Sequence, residues 1–141
     1  MALFAELSAI DRLAAIHMER LMPGGLTTAQ FNVLTRLATH GRQTPGEMAG
    51  ALALSKPAMS HALARLESAG LARIQADPSD GRRRQVSITV AGEAAYKEGS
   101  SALSPMLQAL RVSFAPDEFE AALPFLSRLR TWLQAGGPVT A

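Results

Sequence analysis

The chain has 141 residues, contains no cysteine and is 48% apolar. This composition suits one compact domain and excludes disulfides, thiolate metal sites and cysteine-based redox sensing. No stretch approaches the roughly 20 uninterrupted apolar residues that a membrane helix needs. Glu6 and Asp11 stand where an export signal would carry basic residues. We therefore expect a cytoplasmic protein that has no membrane partner.

The formal net charge is only +2, but it is unevenly distributed. Residues 55–90 hold six basic residues against three acidic ones, an excess of three positive charges. Residues 1–54 balance, and residues 91–141 carry one excess negative charge. A local basic surplus is expected where a protein contacts a nucleic acid. A solvated basic loop would give the same count, so the interpretation needs support from other features.

Apolar residues at helical spacing predict two helices in the first third of the chain. The first spans residues 3–22 and is stopped by a Pro-Gly-Gly segment. The second begins at Thr27 or Thr28, either of which can cap it, and ends at Gly41.

A pair of helices separated by a very short turn follows. Thr44 can act as an N-cap, with proline at the first helical position and Glu47 completing a capping box, so a helix is predicted through Leu52. Ser55 caps the next helix, which covers residues 56–69. Its predicted inward-facing residues are Met59, Leu63 and Leu66. Two helices joined so tightly cross steeply, as in helix-turn-helix units.

Two strands are predicted after the glycine at position 70, at residues 71–76 and 85–89, with turn-forming residues 77–81 between them. Three arginines follow the turn. Because side chains alternate along a strand, Arg82 and Arg84 should share one face and Arg83 the other. Asp80 is placed to hold the guanidinium of Arg82 by a charge-assisted hydrogen bond. Adjacent arginines repel one another, which favours an anionic partner.

Two further helices are predicted in the last third of the chain. Thr89 caps a long helix that reaches about residue 114, and another runs over residues 116–134. Pro105 and Pro124 fall inside these helices, where proline removes a hydrogen bond, so we expect bends at both.

The predicted outer face of the 56–69 helix consists of small or hydrogen-bonding residues. They are Lys56, Pro57, Ser60, His61, Ala64 and Arg65. Such residues let a helix approach base edges in the major groove of duplex DNA, which an α-helix fits. An ordinary surface histidine is the alternative for His61, but the adjacent basic hairpin favours groove contact.

The order of these elements resembles the MarR family of bacterial transcription regulators, which are winged helix-turn-helix proteins. The resemblance runs from about Leu26 to Gly92 and includes the segments SKPAMSHALARLESAGL, DPSDGRRR, QVSIT and VAG. Its most specific positions fit D-P-x-D-x-R and L/I-T-x-x-G, and they are Asp77, Pro78, Asp80, Arg82, Ile88, Thr89 and Gly92.

The resemblance implies a homodimer in which the first, fifth and sixth helices pack together. It also implies that residues 55–69 enter the major groove, that Arg82 reaches the minor groove from the wing, and that Asp80 braces it. Many such regulators release DNA when a small, often aromatic and acidic, effector binds between the dimer region and the DNA-binding region.

We therefore predict a mainly α fold (α+β), a winged helix-turn-helix with a helical dimerisation region from the N- and C-terminal helices. A single MarR-type domain would cover residues 1–141, with a DNA-binding lobe at 26–92, a dimerisation region at 1–25 and 93–136, and a flexible tail at 137–141. The predicted DNA-binding residues are Thr44, Ser55, Lys56, Pro57, Ser60, His61, Arg65, Arg73, Asp80, Arg82, Arg83 and Arg84.

The predicted function is sequence-specific binding of double-stranded DNA by a homodimeric, ligand-responsive repressor that recognises a palindromic operator. The alternative is a winged-helix module that binds a ligand or a protein without binding DNA. We expect neither catalysis nor a cofactor. The histidines at positions 17, 40 and 61 are dispersed, and no carboxylates accompany them at ligand spacing, so no metal site is predicted.

Overall fold

The computed structural model describes residues 1–138 and is mainly helical, with one two-stranded sheet. The elements are α1 Ala2–Leu21, α2 Thr28–His40, α3 Pro45–Leu52, α4 Lys56–Ser68, β1 Ala72–Asp77, β2 Asp80–Ile88, α5 Val90–Ser113 and α6 Pro116–Gln134. This confirms the predicted fold class and each predicted helix. Residues 139–141 of the predicted tail lie outside the described residues.

The chain divides into two compact units, residues 1–103 and residues 104–141. The core of the first unit is formed mainly by α2, α3, α4 and the sheet. Its fully buried side chains are Val33, Leu34, Leu37, Met48, Met59, Leu66 and Val86. The predicted inward residues Met59, Leu63 and Leu66 are all buried, so the predicted orientation of α4 is confirmed.

Side-chain caps fix where the central helices begin. Thr27 rather than Thr28 caps α2, because its hydroxyl oxygen accepts from the backbone N–H of Gln30 at 3.2 Å. Thr44 and Glu47 form the predicted capping box of α3, with backbone-to-side-chain bonds of 3.1 Å in both directions. Ser55 accepts from the backbone of Ala58 and so starts α4. Each cap satisfies a backbone donor that the helix itself leaves unpaired.

The hairpin differs from the prediction, because its second strand begins at Asp80 rather than at residue 85. The predicted five-residue turn is therefore wrong, and the three arginines lie within the strand. Side chains close the turn early: Ser79 donates its backbone N–H and its hydroxyl to Oδ1 of Asp77, at 2.9 and 2.7 Å. The antiparallel register is regular from Ala72 opposite Ile88 to Ala76 opposite Arg84, and it shifts beyond Ala76.

A close approach joins the hairpin to α5. The hydroxyl of Thr89 donates to the carbonyl oxygen of Gly70 at 2.6 Å and accepts from the backbone N–H of Gly92 at 3.0 Å. Gly92 is buried, and a Cβ at this position would overlap the carbonyl oxygen of Leu71. This junction therefore requires glycine.

Helices α5 and α6 continue through Pro105 and Pro124 as single helices. The bends that we expect there stay predictions. In α6 no residue is buried, and in α1, which belongs to the first unit, none is buried either.

Candidate nucleic-acid interface

Helix α4 separates a buried stripe from an exposed face. The stripe consists of Met59, Ala62, Leu63 and Leu66, each at most 3% exposed. Burial of one large apolar side chain of this kind stabilises a fold by about 1.5–3 kcal/mol, so the stripe anchors the helix firmly. The residues that were predicted to face outward are all exposed: Lys56, Pro57, Ser60, His61, Ala64 and Arg65.

The exposed residues of α4 divide between a central face and one flank towards α3. At about 100° per residue, Pro57, His61 and Ala64 lie opposite the buried stripe. Lys56 and Ser60 lie on the flank towards α3 and line, together with residues of that helix, a cleft of about 270 Å³. The small residues on the central face leave room for close approach to a flat or grooved partner.

Arg65 stands on the opposite flank of α4. With His61 it lines a second cleft, of about 590 Å³, whose other walls are the turn before α2, the beginning of α2, and α5. Thr27, Gln30 and Glu98 add polar groups to these walls. Arg65 is therefore at the edge of the predicted interface rather than at its centre, and no sequence pattern pointed to this cleft.

The N-caps of α3 and α4 present two hydroxyl groups. The oxygens of Thr44 and Ser55 accept backbone hydrogen bonds from their own helices, at 3.1 and 3.2 Å. Their hydroxyl protons are not used in those bonds, so each can donate to an anion. Helix N-termini also carry a partial positive charge, which favours a phosphate near Ser55 and Lys56.

The hairpin presents Arg82, Arg83 and Arg84, which are all exposed. Arg82 and Arg84 line a cleft of about 540 Å³ together with Glu67, which agrees with the expectation that these two arginines share a face. Within residues 1–138, neither guanidinium lies within ion-pair distance of a carboxylate. Their charge is therefore not neutralised by the described residues of this chain.

Arg73 does not join this group. Arg73 is paired with Ser87 in the neighbouring strand. Arg84 is two residues before Val86 in β2, so these two side chains lie on the same face, and Ser87 lies on the other. Since paired residues share a face and successive residues alternate, Arg73 and Arg84 project from opposite faces of the sheet. The predicted DNA-binding arginines therefore form more than one surface.

The predicted bond between Asp80 and the guanidinium of Arg82 is absent. Instead, Oδ1 of Asp80 accepts from the backbone N–H of Arg82 at 3.0 Å. The reason is geometric: a short aspartate side chain readily reaches the main chain two residues ahead, where it closes an Asx-type turn. Asp80 thus fixes the backbone that carries Arg82 and leaves the guanidinium unbound.

Asp77 is the second acid that shapes the turn. The hydroxyl and backbone N–H of Ser79 lower the pKa of its carboxyl group, and the positive charge of Arg83 lowers it further. The other oxygen of Asp77 accepts from the side-chain amide of Gln85 at 3.3 Å. The carboxylate form therefore holds the tip of the hairpin together.

Sequence reasoning missed Glu67, in the last turn of α4. Its Oε2 accepts from the backbone N–H of Ile74 in β1 at 3.0 Å. The two residues are seven positions apart, across the helix end and the left-handed Gly70. Neither a helix pattern nor a strand pattern reveals a bond of this kind.

In the described residues, no group of three or more His, Cys, Asp or Glu side chains is arranged to hold a metal ion. No helix within residues 1–138 combines the length and the apolar character needed to cross a bilayer.

Comparison with known proteins gives a consistent picture. A sequence profile described as MarR family matches residues 24–83. A probable transcriptional regulator from Pseudomonas aeruginosa is 28% identical, with a TM-score of 0.74 over 90% of this chain and 98% of that one. A search among curated proteins found no match.

Two similar structures come from regulators studied with small molecules. BpsR of Bordetella bronchiseptica, whose DNA binding is regulated by 6-hydroxynicotinic acid, is 23% identical with a TM-score of 0.80, over 92% of this chain and 98% of its own. PcaV of Streptomyces coelicolor, solved with its natural ligand, is 20% identical with a TM-score of 0.79, over 87% of each chain. These two likenesses concern the fold alone. The profile match, the helix-turn-helix and the arginine-bearing hairpin lead to one conclusion: residues 24–83 of this chain are similar to the MarR family of transcriptional regulators.

Proposed function

We propose that this protein is a repressor that binds a palindromic operator as a homodimer and releases it when a small acidic effector binds. The observation that carries the proposal is the pairing of a small-residue face on α4 with Arg82 and Arg84, which have no acidic partner within the described residues. Ser60 and His61 would read base edges, while the wing and the N-caps would contact phosphates and groove shape.

Homodimer formation is supported by exposed apolar side chains on α1. These side chains are between 41% and 58% exposed, and they are Leu3, Phe4, Ile10, Leu13, Ile16 and Leu21. Helix α6 adds another set, namely Phe119, Leu123, Phe125, Trp132 and Leu133. Apolar surface on this scale marks an interaction site in a water-soluble protein, and a two-fold symmetric dimer is the commonest way to cover it.

The two-fold axis of such a dimer dictates the form of the operator. Two copies of α4 would read two inverted half-sites whose centres are about 10–10.5 bp, or a multiple of that distance, apart. Footprinting on genomic fragments that the protein retards in a gel should show protection with two-fold symmetry. Protection of one asymmetric half-site by the dimer would contradict the palindrome, and failure to retard any fragment would favour the winged-helix module that does not bind DNA.

An effector site is supported by the 590 Å³ cleft beside α4, whose size is in the range of small-ligand pockets. Leu26 and Leu71 provide apolar contact, and Arg65 provides a cation for a carboxylate. Because Arg65 and His61 are also part of the recognition helix, a ligand bound to them would alter the face that meets DNA. The regulation of DNA binding in BpsR by 6-hydroxynicotinic acid supports an acidic effector as the chemical class to test.

Aromatic carboxylic acids, beginning with 6-hydroxynicotinic acid, test the effector site. We expect an active acid to weaken operator binding by the parent protein, and to weaken binding by Arg65→Gln by a smaller factor when each variant is compared with its own affinity in the absence of the acid. An equal response in Arg65→Gln would place the effector elsewhere. Arg73→Gln is a matched control, since Arg73 is exposed but does not line the cleft.

A further inference from the structure

Glu67 links the recognition helix α4 to the wing, which is the hairpin of β1 and β2. It does so at a backbone N–H that the sheet itself leaves without a hydrogen bond. Val86 exchanges both of its backbone hydrogen bonds with Gln43, at 2.8 and 3.1 Å, so its polar groups point away from β1. Ile74 lies directly opposite Val86 in the antiparallel register. Ile74 is thus in a non-hydrogen-bonded pair, and its N–H points to the outer edge of the sheet. The carboxylate of Glu67 accepts this edge donor.

The bond adds a direct link between α4 and β1 to the main-chain connection and to the bonds that join Val86 to Gln43. Helix α4 ends through Gly70, and the backbone N–H of Leu71 donates to the carbonyl oxygen of Leu66 at 2.9 Å. Only three residues then separate α4 from β1. The contact between Glu67 and Ile74 closes a ring across this link, so it restricts rotation of the hairpin about the end of the helix.

The placement of the carboxylate also concerns the wing arginines. Glu67 lines the same cleft as Arg82 and Arg84, yet it makes no ion pair with either of them. Its hydrogen bond is directed to the main chain, so the guanidinium groups stay available to phosphates. Glu67 therefore orders the element that bears the arginines without neutralising them.

We infer that Glu67 is a positioning residue that makes the recognition helix and the wing bind DNA as one rigid unit. The inference rests on the proposed DNA binding. When two contact surfaces are held rigidly, formation of the first contact places the second without a further cost of ordering. Without the bond, the recognition helix and the wing can each still contact DNA. Binding of one of them then contributes less to the affinity of the other.

The consequence is measurable as coupling between helix and wing. In the parent background, the double variant His61→Ala/Arg82→Ala should lose less operator affinity than the product of the two single fold-losses. The reason is that losing either contact already weakens the other. In a Glu67→Ala background the two losses should multiply, and operator affinity should already be about three- to tenfold weaker. Glu67→Gln retains an acceptor oxygen and should restore both the affinity and the coupling.

Operator titrations of these variants, with Glu93→Ala as an exposed control glutamate, test the inference together with amide hydrogen exchange in the free protein. Exchange at Ile74 should accelerate in Glu67→Ala and stay near the parent rate in Glu67→Gln. Parent-like affinity and coupling in Glu67→Ala would overturn the inference even if exchange accelerates. A fall in melting temperature with unchanged coupling would mean a role in stability alone. If the parent binds no DNA, the proposed function itself fails, and the inference fails with it.

Discussion

At the scale of single residues, the two aspartates of the hairpin accept hydrogen bonds within the turn and the hairpin, and neither accepts one from an arginine side chain within residues 1–138. Asp80 accepts from the backbone of Arg82, and Asp77 accepts from Ser79. Proximity of opposite charges in sequence suggested an ion pair, but exposed ion pairs contribute little, and a short side chain finds a nearby N–H first. Variants can therefore distinguish the two acids by the hydrogen bonds that each one accepts, from Arg82 for Asp80 and from Ser79 for Asp77.

Asp80→Asn should bind operator nearly as well as the parent, because an amide oxygen can still accept from the backbone of Arg82. Asp80→Ala should lose part of the affinity that Arg82→Ala loses, since the chain bearing Arg82 becomes less ordered. Binding isotherms on one operator duplex compare the three variants. If Asp80→Asn were as weak as Asp80→Ala, a charge interaction with the guanidinium would explain the data better.

The lowered pKa of Asp77 predicts how the hairpin responds to acid. A carboxyl group with a lower pKa in the folded state stabilises that state above the unfolded pKa, and this contribution is lost as pH falls through the folded pKa. Ser79→Ala removes the hydroxyl donor and should move the pKa of Asp77 towards its usual value. Carboxyl NMR titration measures this shift, and an unchanged pKa would show that the hydroxyl is not its main cause.

At the scale of secondary-structure elements, residue patterns predicted the helices well because their signals are local. Thr44, Glu47 and Ser55 cap as expected, and the apolar stripe of α4 is buried. The strand that begins at Asp80 was missed because Asp80 and Gly81 are residue types typical of turns, whereas side-chain bonds close the turn before them. The bond of Glu67 to β1 and the cleft beside Arg65 depend on how elements meet, which no pattern within one element contains.

The junction between the hairpin and α5 offers a test of packing. Gly92→Ala should destabilise the fold by about 1–3 kcal/mol, because a Cβ there overlaps the carbonyl oxygen of Leu71. Gly46→Ala in α3 is the matched control: nothing lies within 4 Å of its Cβ position, so alanine should gain about 0.5–1 kcal/mol. Thermal unfolding compares both. Equal stability of Gly92→Ala and the parent would mean that the junction relaxes.

At the scale of the whole molecule, the exposed apolar side chains of α1 predict dimer formation. Leu13 is large and apolar, and 56% of it is exposed, so Leu13→Glu should leave the fold intact. It should also shift the protein from twice the chain mass to the chain mass in sedimentation at micromolar concentration. Ser8→Glu, another exposed substitution in α1, should stay dimeric. A monomeric parent that binds operator with full affinity would contradict the dimer.

In the proposed function, two elements of the DNA-binding lobe share DNA recognition. The wing should read backbone and groove shape, so Arg82→Ala should weaken binding to all sequences. The face of α4 should read bases, so His61→Ala should lower the preference for operator over random DNA by about 1–3 kcal/mol per lost base contact.

The most direct test is a titration of the parent, Arg82→Ala and His61→Ala on operator and random duplexes at several salt concentrations. Arg82→Ala should lose affinity for both duplexes, with a salt dependence shallower by roughly 0.9 per lost phosphate contact in each lobe. His61→Ala should lose affinity for the operator while its binding to random DNA stays near the parent value. If Arg82→Ala binds both duplexes like the parent, the hairpin is a soluble loop and the wing assignment is wrong.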